Sequence, residues 1–167
     1  LPIFPPTGLL DLVGFVDAAH ATDLKTRRSV SGIIFIFVGG AIAYKSKLQS
    51  TVATSSTEAE FIAAVSAAKL AKYLCSVLTD LGFAPSGPTI LYEDNHASIS
   101  MINASKPTPS SRHINVHHFA IHAWHAAGLI RLEYIPTVLN PSDQSTKALG
   151  WTLHSRHARH TMGHYGC

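Results

Sequence analysis

Short apolar runs alternate with longer periodic ones along the chain, and the change of period marks the elements. Positions 12–19, "LVGFVDAA", make an apolar run too short for a helix and rich in β-branched and aromatic residues; it predicts a buried strand with Asp17 near its C-terminal end. Positions 31–38, "SGIIFIFV", and 41–48, "AIAYKSKL", predict two further strands joined at Gly39-Gly40, a pair that supplies the positive φ angles of a tight hairpin turn. Lys45 and Lys47 share one face of the third strand, because side chains alternate with period two. From about 55 to 81 the chain is rich in Ala and Leu, lacks Pro and Gly, and closes on Gly82, which predicts a long helix with a glycine stop.

The second half continues with a strand over 89–94, "TILYED", a short helix over 97–104, and a loop over 105–111 broken by two prolines. A helix over 114–128 ends on Gly128, a fifth strand covers 129–135, and a last helix is expected over 140–149, with Asn140 as cap and Pro141 in its first turn. Short connections imply an antiparallel meander and helical crossovers imply parallel additions. The expected class is therefore α/β, one mixed sheet with helices on both faces.

At 167 residues, 46% hydrophobic and 14% charged, the chain can bury one core. Positions 1–10, "LPIFPPTG" and after, read as a Pro-rich linker from a longer polypeptide, and 11–167 as the domain. No apolar stretch reaches the roughly 18 uncharged residues of a membrane span, so a soluble chain with no membrane partner is expected. Cys75 and Cys167 make neither a disulfide framework nor a metal spacing, which points to a reducing compartment. Formal charge is +3, but Lys25, Arg27, Arg28, Lys45 and Lys47 crowd a window free of acids, a pattern that favours a polyanion partner.

Four carboxylates fall where elements start or end: Asp17, Glu60, Asp94 and Asp143. If the first and fourth strands are parallel neighbours, Asp17 and Asp94 emerge at one sheet edge, where open α/β sheets place ligands. Adjacent carboxylates repel unless a cation joins them, and hard divalent cations take oxygen ligands. Local roles compete for some of these acids. Asp143 follows a helix cap, and Asp94-Asn95 suits a strand-to-helix turn.

Positions 54–73 set two acids two residues apart. Ser55 with Glu58 three residues on is a capping box, which gives Glu58 a local task. At about 100° per residue Glu58 lies on the side of Lys69, Lys72 and Asp80, whereas Glu60 points toward the side of Ala67, Ala71, Leu74 and Leu78. A carboxylate aimed at the packed side wants a cation.

The segments "GFVDAAHATDLKTRRSVSG", "TSSTEAEFIAA", "LYEDNHASI", "SRHIN" and "EYIPTVLNPSDQSTKAL" closely resemble, in order and spacing, the ribonuclease H domain of copia-type retrotransposon polyproteins, over about 14–149. The resemblance implies an RNase H-like fold with a five-stranded sheet of order 3-2-1-4-5. It also implies an endonuclease that cuts the RNA strand of RNA/DNA hybrids with two Mg²⁺, for which Mn²⁺ can substitute. Matched residue by residue, Asp17, Glu60, Asp94 and Asp143 are the metal acids, with Asp17 bridging the ions. Water on one ion would attack the phosphodiester while the other stabilises the leaving 3′ oxygen, giving a 5′ phosphate. A reverse transcriptase domain of the same polyprotein is the implied partner, an intracellular virus-like particle or the nucleus the implied location, and a monomer the expected state of the isolated domain.

The chain departs from the family at Ala19, His20 and Asn115, where an acid, an aromatic and an acid are usual, and the loop 137–142 carries no histidine. By position beside the acids, Asn95, Ser55 and Ser56 are candidates for sugar or phosphate contacts, and Arg27, Arg28, Lys45 and Lys47 for phosphate clamps. A solvated strand face is the bland alternative for the basic residues. The rival function is a degenerate copy that binds nucleic acid or packs against reverse transcriptase without cutting. His118, His122 and His125 have a spacing that could bind zinc or nickel, but the polar face of an amphipathic helix whose buried face uses Ile114, Phe119 and Ile121 is the favoured reading. His154, His157 and His160 form a similar stripe near the C-terminus.

Overall fold

A computed structural model describes residues 10–103 and 115–163, and the side chains of the second stretch from 119 onward. Positions 1–9 of the expected linker, the proline loop, Ile114 and the side chains of Asn115 and His118 lie outside the described residues.

The strands are β1 (Val13–Ala19), β2 (Val30–Phe37), β3 (Gly40–Leu48), β4 (Thr89–Glu93) and β5 (Ile130–Tyr134). They form one sheet of order β3-β2-β1-β4-β5. β1 pairs antiparallel with β2 and β2 with β3, while β4 lies parallel to both β1 and β5. The loop 20–29 joins β1 to β2 and a tight turn joins β2 to β3 in the antiparallel half, while helical crossovers make the parallel half.

One face of the sheet carries α1 (Ser56–Asp80), α2 (His96–Asn103) and α3 (Asn115–Ala126). Its core joins Val16, Ile33, Phe35, Leu91 and Leu132 of the sheet to Phe61 and Ile102 of the helices. Small residues on α1, Ala63, Ala64, Ala67, Ala68 and Ala71, are all fully buried and let the helix lie close to the strands. By length and composition α1 could cross a membrane. Its apolar side is instead spent on the sheet, where Phe61 alone is worth about 1.5–3 kcal/mol of burial. The opposite sheet face holds a smaller core of Val13, Phe15, Ile34, Ile36, Tyr92 and Ile135. α4 (Trp151–Thr161) covers it, with His160 edge-on to Phe15.

Two expected elements differ. The hairpin turn lies at Val38-Gly39, with φ of 51° and 79°, and Gly40 already belongs to β3. The glycine pair offered two registers, and β2, buried on both faces from Ser31 to Ile36, pairs with β3 through a register shift at Phe35/Ile36 that sets the turn one residue early. That leaves a β-branched residue in the left-handed region, which costs on the order of 1 kcal/mol.

The helix expected over 140–149 is a short 3-10 turn, Pro141–Ser145, and the true last helix is α4, which starts after Gly150. The cap itself is present: Asn140 Oδ1 accepts from the Ser142 amide at 3.2 Å. Propagation stops because the Asp143 carbonyl takes the amides of both Thr146 and Lys147, and because Thr146 turns its hydroxyl onto Asp17 rather than continuing a helix. α4 escaped notice because its His and Arg residues look like a solvent stripe.

Candidate metal centre

β1 and β4 run parallel in register from Val13↔Ile90 to Phe15↔Tyr92, so their C-terminal ends, with Asp17 and Asp94, open at the same sheet edge. α1 starts beside them. Ser55 caps it by accepting the Glu58 amide at 3.1 Å. The Glu58 carboxylate reaches back to the Thr54 amide and hydroxyl, at 2.6 and 2.5 Å, one residue short of the usual capping-box partner. With Glu58 so occupied, Glu60 is the acid that faces inward and is buried.

Ligand oxygens of Asp17, Glu60 and Asp94 all lie within 4.8 Å of one another. Burial first, then repulsion from Asp17, Glu93 and Asp94, pushes the Glu60 carboxyl up to about 10. Burial likewise raises Asp17 to about 6, with the Thr146 hydrogen bond acting against it and Asp143 and Asp94 adding to it. Glu60 Oε2 is buried with no hydrogen-bond partner. Three converging carboxylates, one holding an orphaned buried oxygen, fit a hard divalent cation and fit little else.

Asp143 is buried beside the trio and felt electrostatically by Asp17, but it stands outside the three-acid group and pairs with Lys147 at 2.5 Å. Its turn is pinned to the sheet. Asn140 Nδ2 donates to the Val16 carbonyl at 2.7 Å, Ser46 Oγ donates to the Ser145 carbonyl at 2.6 Å, and Thr146 bonds Asp17. Gly32 makes the approach possible, since a Cβ there would stand 2.6 Å from Thr146 Cγ2 and 2.8 Å from the Ser142 carbonyl oxygen.

Sequence reading missed four residues of this site. Thr137 donates to Asp94 at 2.6 Å, Thr146 donates to Asp17, and Lys147 neutralises Asp143. Glu93 is a fully buried carboxyl next to Asp94, raised to about 8 chiefly by burial. Only Lys147 carried a signal, as a cation four residues after an acid.

The candidate substrate residues are scattered around this centre. Asn95 caps α2, its Oδ1 accepting from Ala97 and Ser98 amides at 3.0 Å each, and Ser55 caps α1, so both have structural tasks beside the acids. Ser56 opens α1 exposed to solvent. Arg27 and Arg28 lie in the β1–β2 loop, Arg27 at φ 57° and Arg28 Nε donating to Thr26 Oγ1 at 3.1 Å. Lys45 and Lys47 do share a face of β3. His20 departs from the family aromatic, and its Nε2 lies 3.2 Å from the Ala53 carbonyl, bridging the β1 exit to the α1 approach.

Three comparisons bear on the chain. No family model matches it. It is 36% identical over 138 residues, 83% of its length, to the retrovirus-related Pol polyprotein from transposon TNT 1-94 of Nicotiana tabacum, of which it spans 10%. Among solved structures it is similar to LC11-RNase H1, isolated from compost, with TM-score 0.61, 12% identity and coverage of 81% of this chain and 92% of that one. The same enzyme in complex with an RNA/DNA hybrid gives 0.58 at 10% identity, covering 81% and 94%. The foamy viral protease-reverse transcriptase in complex with RNA/DNA hybrid gives 0.59 at 14% identity, covering 89% of this chain and 21% of that one. The chain belongs to the copia-type retrotransposon Pol polyproteins, and its fold is the RNase H-like fold.

Proposed function

We propose that this domain is an active, metal-dependent endonuclease that hydrolyses the RNA strand of RNA/DNA hybrids during reverse transcription of a retroelement. The observation that carries the reading is the convergence of Asp17, Glu60 and Asp94 within 4.8 Å. Asp17, Glu60, Asp94 and Asp143 would hold two Mg²⁺, or Mn²⁺, which when bound supply an activated water and stabilise charge on the leaving oxygen. The chain's own part is to keep the carboxylates aimed: Thr146 orients Asp17, Thr137 orients Asp94, and burial of Glu60 keeps water from competing for its oxygens. Asn95, Ser55 and Ser56 stand where sugar and phosphate groups of a hybrid would be read, and Arg27, Arg28, Lys45 and Lys47 would hold phosphates.

The hybrids bound to LC11-RNase H1 and to the foamy viral enzyme support the substrate, and the Pol relatives support a reverse transcriptase in the same polyprotein as partner. We place the domain at 11–167, as a monomer when isolated, acting in an intracellular particle or the nucleus. One observation favours a second reading, hybrid binding without cutting: Asp143 is paired with Lys147 rather than gathered with the other acids. A hybrid-cleavage assay with Mg²⁺ or Mn²⁺ and an Asp94→Asn control decides between them. Cleavage by the wild type alone supports the nuclease, and equal degradation by both proteins sinks it.

A further inference from the structure

The end of the sheet farthest from the acids carries exposed apolar side chains. Val13 pairs with Ile36 at the start of β1, so residues 10–12 lie level with the turn that follows Phe37. Leu10 is 56% exposed, Val38 50%, Phe83 46% and Met162 70%. They come from four separate segments that meet here. Phe83 packs edge-on against Phe37 with ring centroids 6.0 Å apart, Ser86 Oγ donates to Asp11 Oδ1 at 3.0 Å, and a Cβ on Gly163 would stand 3.1 Å from the Gly39 carbonyl oxygen. Across residues 10–12, 37–41, 81–88 and 162–163 the sole charged side chain is that of Asp11. Apolar surface gathered from distant parts of a chain in this way marks an interaction site. Val38 holds a left-handed φ of 51°, which Asn or Gly would adopt with less strain, so an exposed valine is kept there against the preference of the backbone.

We infer that this end of the sheet is the surface on which the reverse transcriptase domain of the same polyprotein docks. The chain spans 10% of the TNT 1-94 polyprotein it matches, so in such a polyprotein most of the polypeptide lies in neighbouring domains. Both limits of the described part, Leu10 and Gly163, open at this surface, and a domain joined through either one arrives beside it. A domain held there leaves the acids free. Asp17 lies four residues along β1 from Val13, about 13 Å away, at the other end of the strand. The inference rests on the proposed reverse transcriptase partner and adds the surface that receives it.

The test compares amide hydrogen exchange in the 167-residue chain with exchange in a polypeptide that carries reverse transcriptase joined to this domain. Amides of 38–41 and 82–84 should exchange several-fold more slowly in the joined protein. The free chain should sediment as a monomer. Val38→Asn combined with Met162→Gln should abolish the protection, while the free double variant melts no lower than wild type because Asn suits the left-handed turn. Trp151→Gln removes an exposed ring at the other end of α4, eleven residues or about 16 Å from Met162, and should leave the protection intact. Unchanged exchange at 38–41 and 82–84 on joining, equal loss of protection in Trp151→Gln, or self-association of the free chain through this face overturns the inference. Hybrid cleavage enters none of these readouts, so failure of the docking surface and failure of the nuclease are told apart.

Discussion

Thr146 donates its hydroxyl to Asp17 across a sequence separation of 129 residues, and with that one bond the 3-10 turn carrying Asp143 is tied to the strand carrying the first acid. The bond favours the charged carboxylate, the form a cation needs, against burial that favours the neutral acid. Thr146→Val should weaken Mn²⁺ binding by roughly 10- to 100-fold, the usual cost of losing a group that orients a metal ligand, and Thr146→Ser should keep most of it. Titration calorimetry with Mn²⁺ measures this without reference to activity. Equal affinities in the valine variant and wild type would show that Asp17 needs no orienting.

Gly32 tests the same contact from the other side. A Cβ there meets the Ser142 carbonyl oxygen, which is backbone and yields poorly, as well as the Thr146 methyl. Gly32→Ala should destabilise the fold by about 1–3 kcal/mol and lower metal affinity with it. Gly87→Ala, where the added methyl meets open space, should do neither. Thermal melts of both variants, with and without Mg²⁺, give the comparison.

Much of the site was legible because its residues break local rules. Asp17 sits in an apolar strand, and Glu60 lies on the buried side of a helix whose cap is already served by Glu58; such positions are costly unless occupied, so the sequence pattern exposes them. Asp94 and Asp143 carry ordinary local explanations; the parallel placing of the first and fourth strands pointed to Asp94, whereas Asp143 became readable only by resemblance. Thr137, Thr146 and Glu93 act through contacts set by the turn 141–145 and the β4 register, which no local pattern encodes. The same limit explains the hairpin. Gly39-Gly40 permitted a turn in two registers, and packing of β2 against distant residues chose Val38-Gly39.

Histidines on α4 give the fold an acid limit. Burial, then the neighbouring His157, lowers His160 from 6.5 to about 4, and burial lowers His157 as well. Because the folded values lie below the unfolded ones, the unfolded chain binds more protons in between, so this contribution is complete above about pH 6.5 and is lost as pH falls toward 4. Allowing for screening at a partly exposed ring, His160 is worth about 1–2 kcal/mol. His160→Phe should flatten the acid limb of the stability curve measured by urea unfolding, and an unchanged limb would assign it to other groups.

The acids act in the opposite direction in protein stripped of metal by chelator. Asp17 and Glu60 are raised to about 6 and about 10, so the folded state holds protons that the unfolded chain has released. Stability is therefore greatest below their ordinary values and falls as pH rises through the interval up to about 10. Mg²⁺ replaces those protons, so the melting temperature gained on adding it should grow from pH 6 to pH 8, by several degrees for each ~1 kcal/mol of binding linkage. A gain independent of pH would mean that the cation binds elsewhere.

Glu58 and Glu60, two residues apart, should separate stability from metal chemistry. Glu58→Gln weakens the bonds to Thr54 at the start of α1 and should cost about 0.5–2 kcal/mol, with Mn²⁺ affinity close to wild type. Glu60→Gln removes a buried carboxyl whose charged form the fold resists, so the chelator-treated variant should be at least as stable as wild type near pH 8 while its Mn²⁺ affinity and hybrid cleavage collapse. The two effects oppose each other only if one acid serves the helix and the other the cation. Loss of metal affinity in Glu58→Gln, with Glu60→Gln unaffected, would exchange the two assignments.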